Sequence, residues 1–440
     1  MSLYFQVSLL LSDWITSLLA AVPLRSRATF VELFCGCLLS GDGWVTTAIS
    51  AIQRQRHWST YYKLLQRGSI KTQPLAVALF KLIQRVHHNK VITLVIDDTL
   101  VPRQSSTAPG SAIHFDHSHK PNRPSFMLGQ IWVTLGASLT DSFGRNHVLP
   151  IRSRLVPEKG NRSKLKIAQA LVRALLGHTI APVRILFDAW FMRRSFILPL
   201  VKRQVRFIGR ARHDTALFLP PPPRLPGQRG APRKYGQRIT LNHRLEHLPV
   251  TEKTLHIYGK KQRVRLQSAQ VLARFLNAMP VVAVWCQIFD EDKQIWSPTR
   301  LILSNELTLD AVQIILLFAR RWSIEPLFHN LKRWWGCKDL WGCKDLWQQS
   351  RRVLELWMQM RCCAYALTQM LAMQLHSCLP VHTIAPWRIG RPITAGLFLT
   401  WLQNEFSALP FRACYCPKSR QFQWPLPLGH HPPNTKTTAP

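Results

Sequence analysis

At 440 residues, 47% of them hydrophobic, the chain can build two or three domains with sizeable cores, which excludes intrinsic disorder. Lysine and arginine number 58 against 22 aspartate and glutamate, a formal charge of +36. A globular chain so basic repels itself unless it meets a polyanion, and nucleic acid is the first candidate. The charge is spread along the chain rather than gathered on one amphipathic helix, so a membrane surface is the weaker candidate, and no run reaches the ~18 apolar residues of a membrane span.

Residues 8–24 form an apolar stretch, but Asp13 interrupts it and no Lys or Arg precedes it, so a secretory leader is not expected. The ten cysteines contain no CxxC pair, which argues against a zinc ribbon and, with the length and charge, against a disulfide scaffold. The expectation is a cytoplasmic, nucleoid-associated protein with buried or incidental thiols and no membrane partner.

Residues 1–88 are predicted helical, with apolar positions at helical spacing through 30–39, 45–52 and 75–86 and a break at Gly41-Asp42-Gly43. Arg54, Arg56, Tyr62 and Lys63 lie in a stretch where basic and aromatic residues interleave, a pattern suited to gripping phosphates and stacking on sugars or bases. A solvated basic face on a small helical domain is the alternative.

The pattern changes at Val91. Residues 91–96 (VITLVI) form the β-branched run of a strand buried on both faces, ending in Asp97-Asp98-Thr99. Further strands are predicted at 130–139 and 147–155, a helix at 163–176, a short strand at 184–187 that ends in Asp188, a helical piece, and a strand at 205–211. That order gives a mixed sheet flanked by helices. If the first and fourth strands are neighbours, Asp97 and Asp188 come within reach of one ion, at the strand ends where ligands gather.

Residues 213–296 read as a basic, β-rich insertion, with strands at 239–241, 255–258, 263–266 and 281–288, expected to lie near DNA. A strand at 299–304 comes next, then a helix N-capped by Thr308 with Asp310 in its first turn. On residues 318–332 Arg321, Glu325 and Lys332 are spaced by four and seven, so a single helix would carry cation, carboxylate and cation along one face. Arg321 to Glu325 salt bridging is the plain alternative. Pro326 predicts a kink or a new helix start just after the acid.

WGCKDL occurs at 335–340 and again at 341–346. Six residues are not a whole number of turns, so one copy would rotate the downstream chain by roughly 120°. A short in-frame duplication explains this better than a structural repeat, and it could harm activity. Residues 354–375 predict a packing helix, and residues 412–440, rich in proline, an unstructured tail.

Three carboxylates without zinc-type ligands suggest hard divalent cations, two Mg²⁺ with Mn²⁺ as a substitute. Two such ions ~3.5–4 Å apart activate water or a 3′-hydroxyl and stabilise the leaving oxygen at phosphorus. Strand alternation lets only one of Asp97 and Asp98 face that site; Asp97 shares its side with Thr99 and is preferred. His114, Asp116, His117 and His119 could hold zinc, though such a short loop rarely closes a site; phosphate contact or solvation is the simpler reading.

IDDT (96–99), FDAW (187–190) and RWSIEPLFHNLK (321–332) resemble the three acidic motifs of bacterial insertion-sequence DDE transposases. Their signature of Tyr, two residues, Arg, three residues, Glu, six residues and Lys falls on Phe318, Arg321, Glu325 and Lys332, with Phe replacing Tyr and losing a hydroxyl that could touch phosphate. The segments WSTYYKLL and WQQSRRVLELW are also similar, so the resemblance runs to about residue 375; the WGCKDL duplication lies outside it.

What the resemblance implies is an α/β, RNase H-like mixed-sheet core with helical terminal regions and a β-rich insertion. The expected divisions are a helical DNA-binding region (1–88), the core in two parts (89–212 and 297–346), the insertion (213–296), a C-terminal helical region (347–411) and the tail (412–440). It further implies Asp97, Asp188 and Glu325 as catalytic metal ligands and Arg321, Lys332 and Phe318 beside phosphates. Double-stranded DNA, as terminal inverted repeats and target, would be the partner of a homodimer in a synaptic complex. Cut-and-paste transposition is the expected activity; a structure-selective nuclease and an inactive DNA-binding remnant are the alternatives.

Overall fold

The computed structural model describes residues 2–103, 106–115, 124–157, 161–224, 229–333 and 350–426, with only the backbone described at 161–163 and 333. Its first region is helical as expected: α1 (Leu3–Leu19), α2 (Arg27–Leu39), α3 (Val45–Ser50), α4 (Ser59–Arg67) and α5 (Thr72–Val86). Helical spacing turns Val7, Leu11, Trp14 and Leu18 of α1 and Leu75, Leu79 and Ile83 of α5 inward. α2 is buried on every side from Phe30 to Leu39, which fits its nearly unbroken apolar sequence.

The central sheet begins with β1 (Ile92–Pro102), β2 (Ala112–Phe115), β3 (Phe126–Thr140) and β4 (Asn146–Leu155). Next in the chain are α6 (Asn161–Leu176), β5 (Val183–Phe187), α7 (Arg194–Val201) and β6 (Arg206–Ala211). β3 pairs antiparallel with both β1 and β4, whereas β1–β5 and β5–β6 are parallel. The parallel pairings need crossovers, and α6 and α7 supply helices for them. This is the mixed α/β architecture expected.

The β-rich segment holds β7 (Leu217–Phe218), α8 (Leu241–His247), β8 (Thr251–Ile257), β9 (Lys260–Ala273), β10 (Met279–Asp290) and β11 (Ile295–Trp296), and the chain returns in β12 (Arg300–Ser304). These strands extend the same sheet: β12 lies antiparallel between β6 and β10, and the order continues to β9 and β7. Residues 239–241, expected as strand, do not form one. Thr240 instead accepts a hydrogen bond from His243 N and caps α8, so a polar side chain diverts the backbone into a helix. β8 turns into β9 on Tyr258 and Gly259, both with positive φ, as a two-residue hairpin requires.

Asp310, not Thr308, caps α9 (Ala311–Ala319). Its carboxylate accepts from Gln313 N at 2.8 Å while Gln313 Oε1 accepts from Asp310 N at 3.1 Å, a reciprocal capping box. A 3₁₀ turn (Arg320–Ser323) then leads into α10 (Ile324–Arg333). The single helix expected over 318–332 is therefore two helices, and Pro326 is the third residue of the second, where its missing N–H leaves no hydrogen bond unmade.

α11 (Arg351–Gln374) is buried almost throughout and lies against β4 and α2; α12 (Val381–Ile384) and α13 (Ala395–Phe406) complete the helical part. Arg361, fully buried in α11, donates to Ser40 Oγ at 2.7 Å and to the carbonyls of Ser40 and Cys37. The expectation of an unstructured tail needs correction for 412–426. There β13 (Tyr415–Cys416) and β14 (Gln421–Phe422) form a hairpin against α1, and Trp424 is buried. Arg412 pairs with the buried Glu32 of α2 at 3.1 Å. Composition misled because apolar anchors in this stretch outweigh its prolines.

Both copies of WGCKDL, and Asp116, His117 and His119, lie outside the described residues. Among the described residues no helix is long and apolar enough to cross a membrane.

The β3–β4 turn carries a testable electrostatic knot. Asp141 accepts from Phe143 N, Arg145 N, Arg145 Nε at 2.7 Å and His147 Nε2 at 3.0 Å. Burial alone would push its carboxyl up, yet the bonds from His147 and Arg145 hold it below the usual carboxylate range. A carboxyl whose pKa is depressed on folding stabilises the fold above its unfolded value of about 4 and loses that contribution as pH falls through the folded value. Asp141→Asn is expected to cost ~1–3 kcal/mol at pH 7. Thermal melts should show the gap between parent and variant closing below pH 4; a constant gap would remove the linkage.

Candidate active site

Two acids meet because two strands run side by side. Parallel pairing of β1 with β5 ends at Val95 opposite Leu186, and Asp97 and Asp188 each stand two residues further on. β1 does not stop there as expected; it continues to Pro102 because the long β3 keeps pairing with it, Asp97 opposite Thr134. Gly209 of β6 lies opposite Phe187, where any Cβ would run into that ring, so a glycine is what lets the residue before Asp188 seat.

Strand alternation separates Asp97 from Asp98. Asp97 accepts from Arg321 Nη1 at 2.7 Å and from Asp98 N at 2.8 Å. On the same side Lys332 Nζ donates to Thr99 Oγ1 at 2.7 Å. Asp98 turns to α6 and pairs with Lys164 at 3.0 Å, whose ammonium also sits 4.1 Å from the centre of the Trp190 ring. Asp188 accepts from the backbone N–H of Trp190 at 3.0 Å and of Phe191 at 3.4 Å, a turn that fixes its direction.

Burial pushes the Asp97 carboxyl well above the usual range, and the charge of Asp188 adds to it, while Arg321 opposes both. Asp188 is also raised by burial; Arg321 and the two N–H donors work against this, and Asp98 repels it further. A buried and a half-buried carboxylate close enough to repel each other are electrostatically unfavourable without a cation nearby.

Glu325 stands apart from this pair. It is exposed in the first turn of α10 and makes no ion pair among the described residues, so the intrahelical bridge to Arg321 does not form. Arg321 and Lys332, expected beside phosphates, hold the 3₁₀ turn and α10 against β1 in this structure. Phe318 is half-buried in the last turn of α9. Among the described residues no three His, Cys, Asp or Glu side chains are grouped to hold a metal. Asp97 and Asp188 nevertheless fit a hard divalent cation: both are oxygen donors, and their repulsion is what such an ion would relieve. The three acids do not gather into one set.

The first helical region keeps its own cluster. Arg54 and Arg56 are exposed between α3 and α4, Lys63 is exposed on α4, and Tyr62 is half-buried with its ring edge-on to Trp58 at 5.7 Å.

Several neighbours of the acids escaped sequence reasoning. Lys164 had no signal beyond a basic helix, although Trp190 lies in the FDAW motif. Tyr258, at a hairpin tip, comes within 6.1 Å of the exposed Trp322 beside Arg321. Glu306, just past β12, accepts from Nε and Nη2 of Arg184 in a forked pair and pairs with Arg206 at 3.2 Å, tying β5 to β6.

A carboxylate pair at the ends of adjacent parallel strands in a mixed sheet places the protein among α/β proteins whose ligands gather at the carboxyl ends of strands. The chain belongs to the DDE superfamily endonucleases: that family's model matches residues 22–273, more than half of the sequence, including Asp97 and Asp188 and ending before Glu325. By family it is a nucleic-acid-cleaving enzyme. Among solved structures it is similar to the piggyBac transposase of a cryo-EM synaptic complex with hairpin DNA, with 10% identity over 90% of this chain and 77% of that one and a TM-score of 0.36. No curated protein matches it.

Proposed function

We propose that the protein is a DNA transposase that cleaves at terminal inverted repeats of an insertion sequence and joins the freed end to target DNA. The observation that carries this reading is the Asp97–Asp188 pair, a buried and a half-buried carboxylate on neighbouring strands, both raised by desolvation and by the charge of a neighbouring acid. Asp97, Asp188 and Glu325 would hold Mg²⁺ or Mn²⁺, which when bound activates water and stabilises the leaving oxygen.

The side chains have separate tasks. Asp97 and Asp188 fix the place of the scissile phosphate. Glu325, one turn beyond Arg321 and unpaired, is free to complete the acid set once DNA is seated. Arg321 holds Asp97 in the meantime and, released from it, faces the phosphate with Lys332. Exposed Arg54, Arg56 and Lys63, with Tyr62, grip the element's end, as the +36 charge favours, within a homodimeric synapse.

In the first step a water oxygen bonds to phosphorus as the bond to the 3′ oxygen breaks, leaving a 3′-hydroxyl. In the second that hydroxyl attacks a target phosphodiester, and the target's own 3′ oxygen leaves.

The family match favours one second reading, a nuclease that stops after the first step. An inverted-repeat duplex incubated with Mg²⁺ and a second DNA separates the two. Transposition requires joined product; nicks without joining leave the nuclease, and neither in Mg²⁺ nor Mn²⁺ removes both.

A further inference from the structure

Away from the acids, a cavity of about 920 Å³ opens between α1, α5 and β4, with Ala20, Ala21 and Leu82 among its apolar lining. Its lining includes four cations, Lys71, Lys81, Arg85 and Arg152, and no carboxylate. None of the residues of the Asp97–Asp188 site borders it.

Arg152 of β4 is the centre of this imbalance. Its Nη2 donates to Thr72 Oγ1 at 2.8 Å, while its Nε is enclosed and has no partner. Glu355 is the nearby acid, but it already accepts from Arg351 at 3.1 Å and lies 3.7 Å from Arg154. Three guanidiniums thus share one carboxylate. Burial pulls the Arg152 pKa down to about 10, and Arg154 adds to the effect against the pull of Glu355. Lys71 and Lys81 are exposed and make no ion pair among the described residues, and Arg85 is matched by Asp13 at 2.6 Å.

We propose that this notch binds a phosphate monoester, the 5′-phosphate of a DNA end or of a free nucleotide. Charge and shape select that ligand. A monoester carries up to two negative charges near neutral pH against one for a backbone diester, and so better meets the surplus of cations. The concave apolar lining suits a sugar and base of nucleotide size. The side of a duplex would touch only the lysines at the rim and leave Arg152 unanswered. The site stands whether or not the acids cut DNA.

The test compares a single-stranded oligonucleotide bearing a 5′-phosphate with the same strand bearing a 5′-hydroxyl, titrated in EDTA so that cleavage plays no part. The parent should prefer the phosphorylated strand by about tenfold, the return of one charge-assisted contact. That ratio should fall towards one in Lys81→Glu, an exposed helix position, and in Arg152→Gln. Deoxyadenosine monophosphate as competitor identifies the source: if it erases the preference, a free nucleotide fills the notch too; if it does not, the DNA end alone does. Equal affinity for the two strands in the parent, or a preference that survives both substitutions, overturns the proposal.

Discussion

Replacing Asp97 or Asp188 by asparagine is expected to slow Mg²⁺-dependent nicking of an inverted-repeat duplex by ~10²–10⁴-fold, the several kcal/mol of transition-state stabilisation that metal-held chemistry supplies. Asparagine keeps the side-chain shape, and at Asp97 its one amide oxygen can still accept from Arg321, so the loss reports the charge rather than a cavity. Asp98→Asn should cost far less, since Asp98 faces Lys164 on the other side of the strand. Glu325→Gln tests the third acid in the same assay. It is exposed, so its thermal melt should match the parent while its nicking rate falls with that of Asp97→Asn. A parent-like rate in Asp97→Asn or Asp188→Asn would end the assignment of the pair; a parent-like rate in Glu325→Gln alone would leave a two-carboxylate site.

Glu306→Ala is expected to destabilise the fold by ~3–5 kcal/mol, the usual result of leaving buried charge without its partner. The carboxylate holds Arg184 in a forked pair and Arg206 at 3.2 Å, and Arg184 and Glu306 are both buried. Arg320, whose pKa burial and the charge of Arg184 already lower, adds a further cation to the surroundings of Arg184. Urea or thermal unfolding reads the loss. If Glu306→Ala melts with the parent, the cluster is a surface feature and the tie between β5 and β6 is made by the backbone alone. The double variant Glu306→Leu with Arg184→Met should recover much of the loss, because a packed apolar pair replaces two charges.

Much of this was legible in the residues themselves. The run from Val91 to Ile96 announces a buried strand by its branched side chains, and the RILF run before Asp188 announces another; that the two are neighbours is a condition the sequence leaves open and the fold supplies. Alternation says that Asp97 and Asp98 turn to opposite sides, as they do, one to Arg321 and the other to Lys164. The tertiary partners were not legible. Nothing local says that Arg321 reaches across to Asp97 instead of back to Glu325, since both carboxylates satisfy the same cation and only the 3₁₀ turn decides between them. The turn itself was half-visible, because Pro326 marked a helix start without showing that four residues would tighten before it. The β-rich segment reads as an insertion, and its pairing with the main sheet through β10 and β12 leaves no mark on the sequence.

One arrangement also governs the order in which the molecule can mature. Ser8 donates to the Trp424 carbonyl and Ser12 accepts from its N–H, while Thr16 makes the matching bonds with Phe422. The first helix therefore keeps an uncovered flank until a segment about four hundred residues later has left the ribosome. At ~5–20 residues per second that wait is roughly 20–80 s. For that interval Ser8, Ser12 and Thr16 lack these partners, and the bonds that join the two distant stretches can form only once both are made.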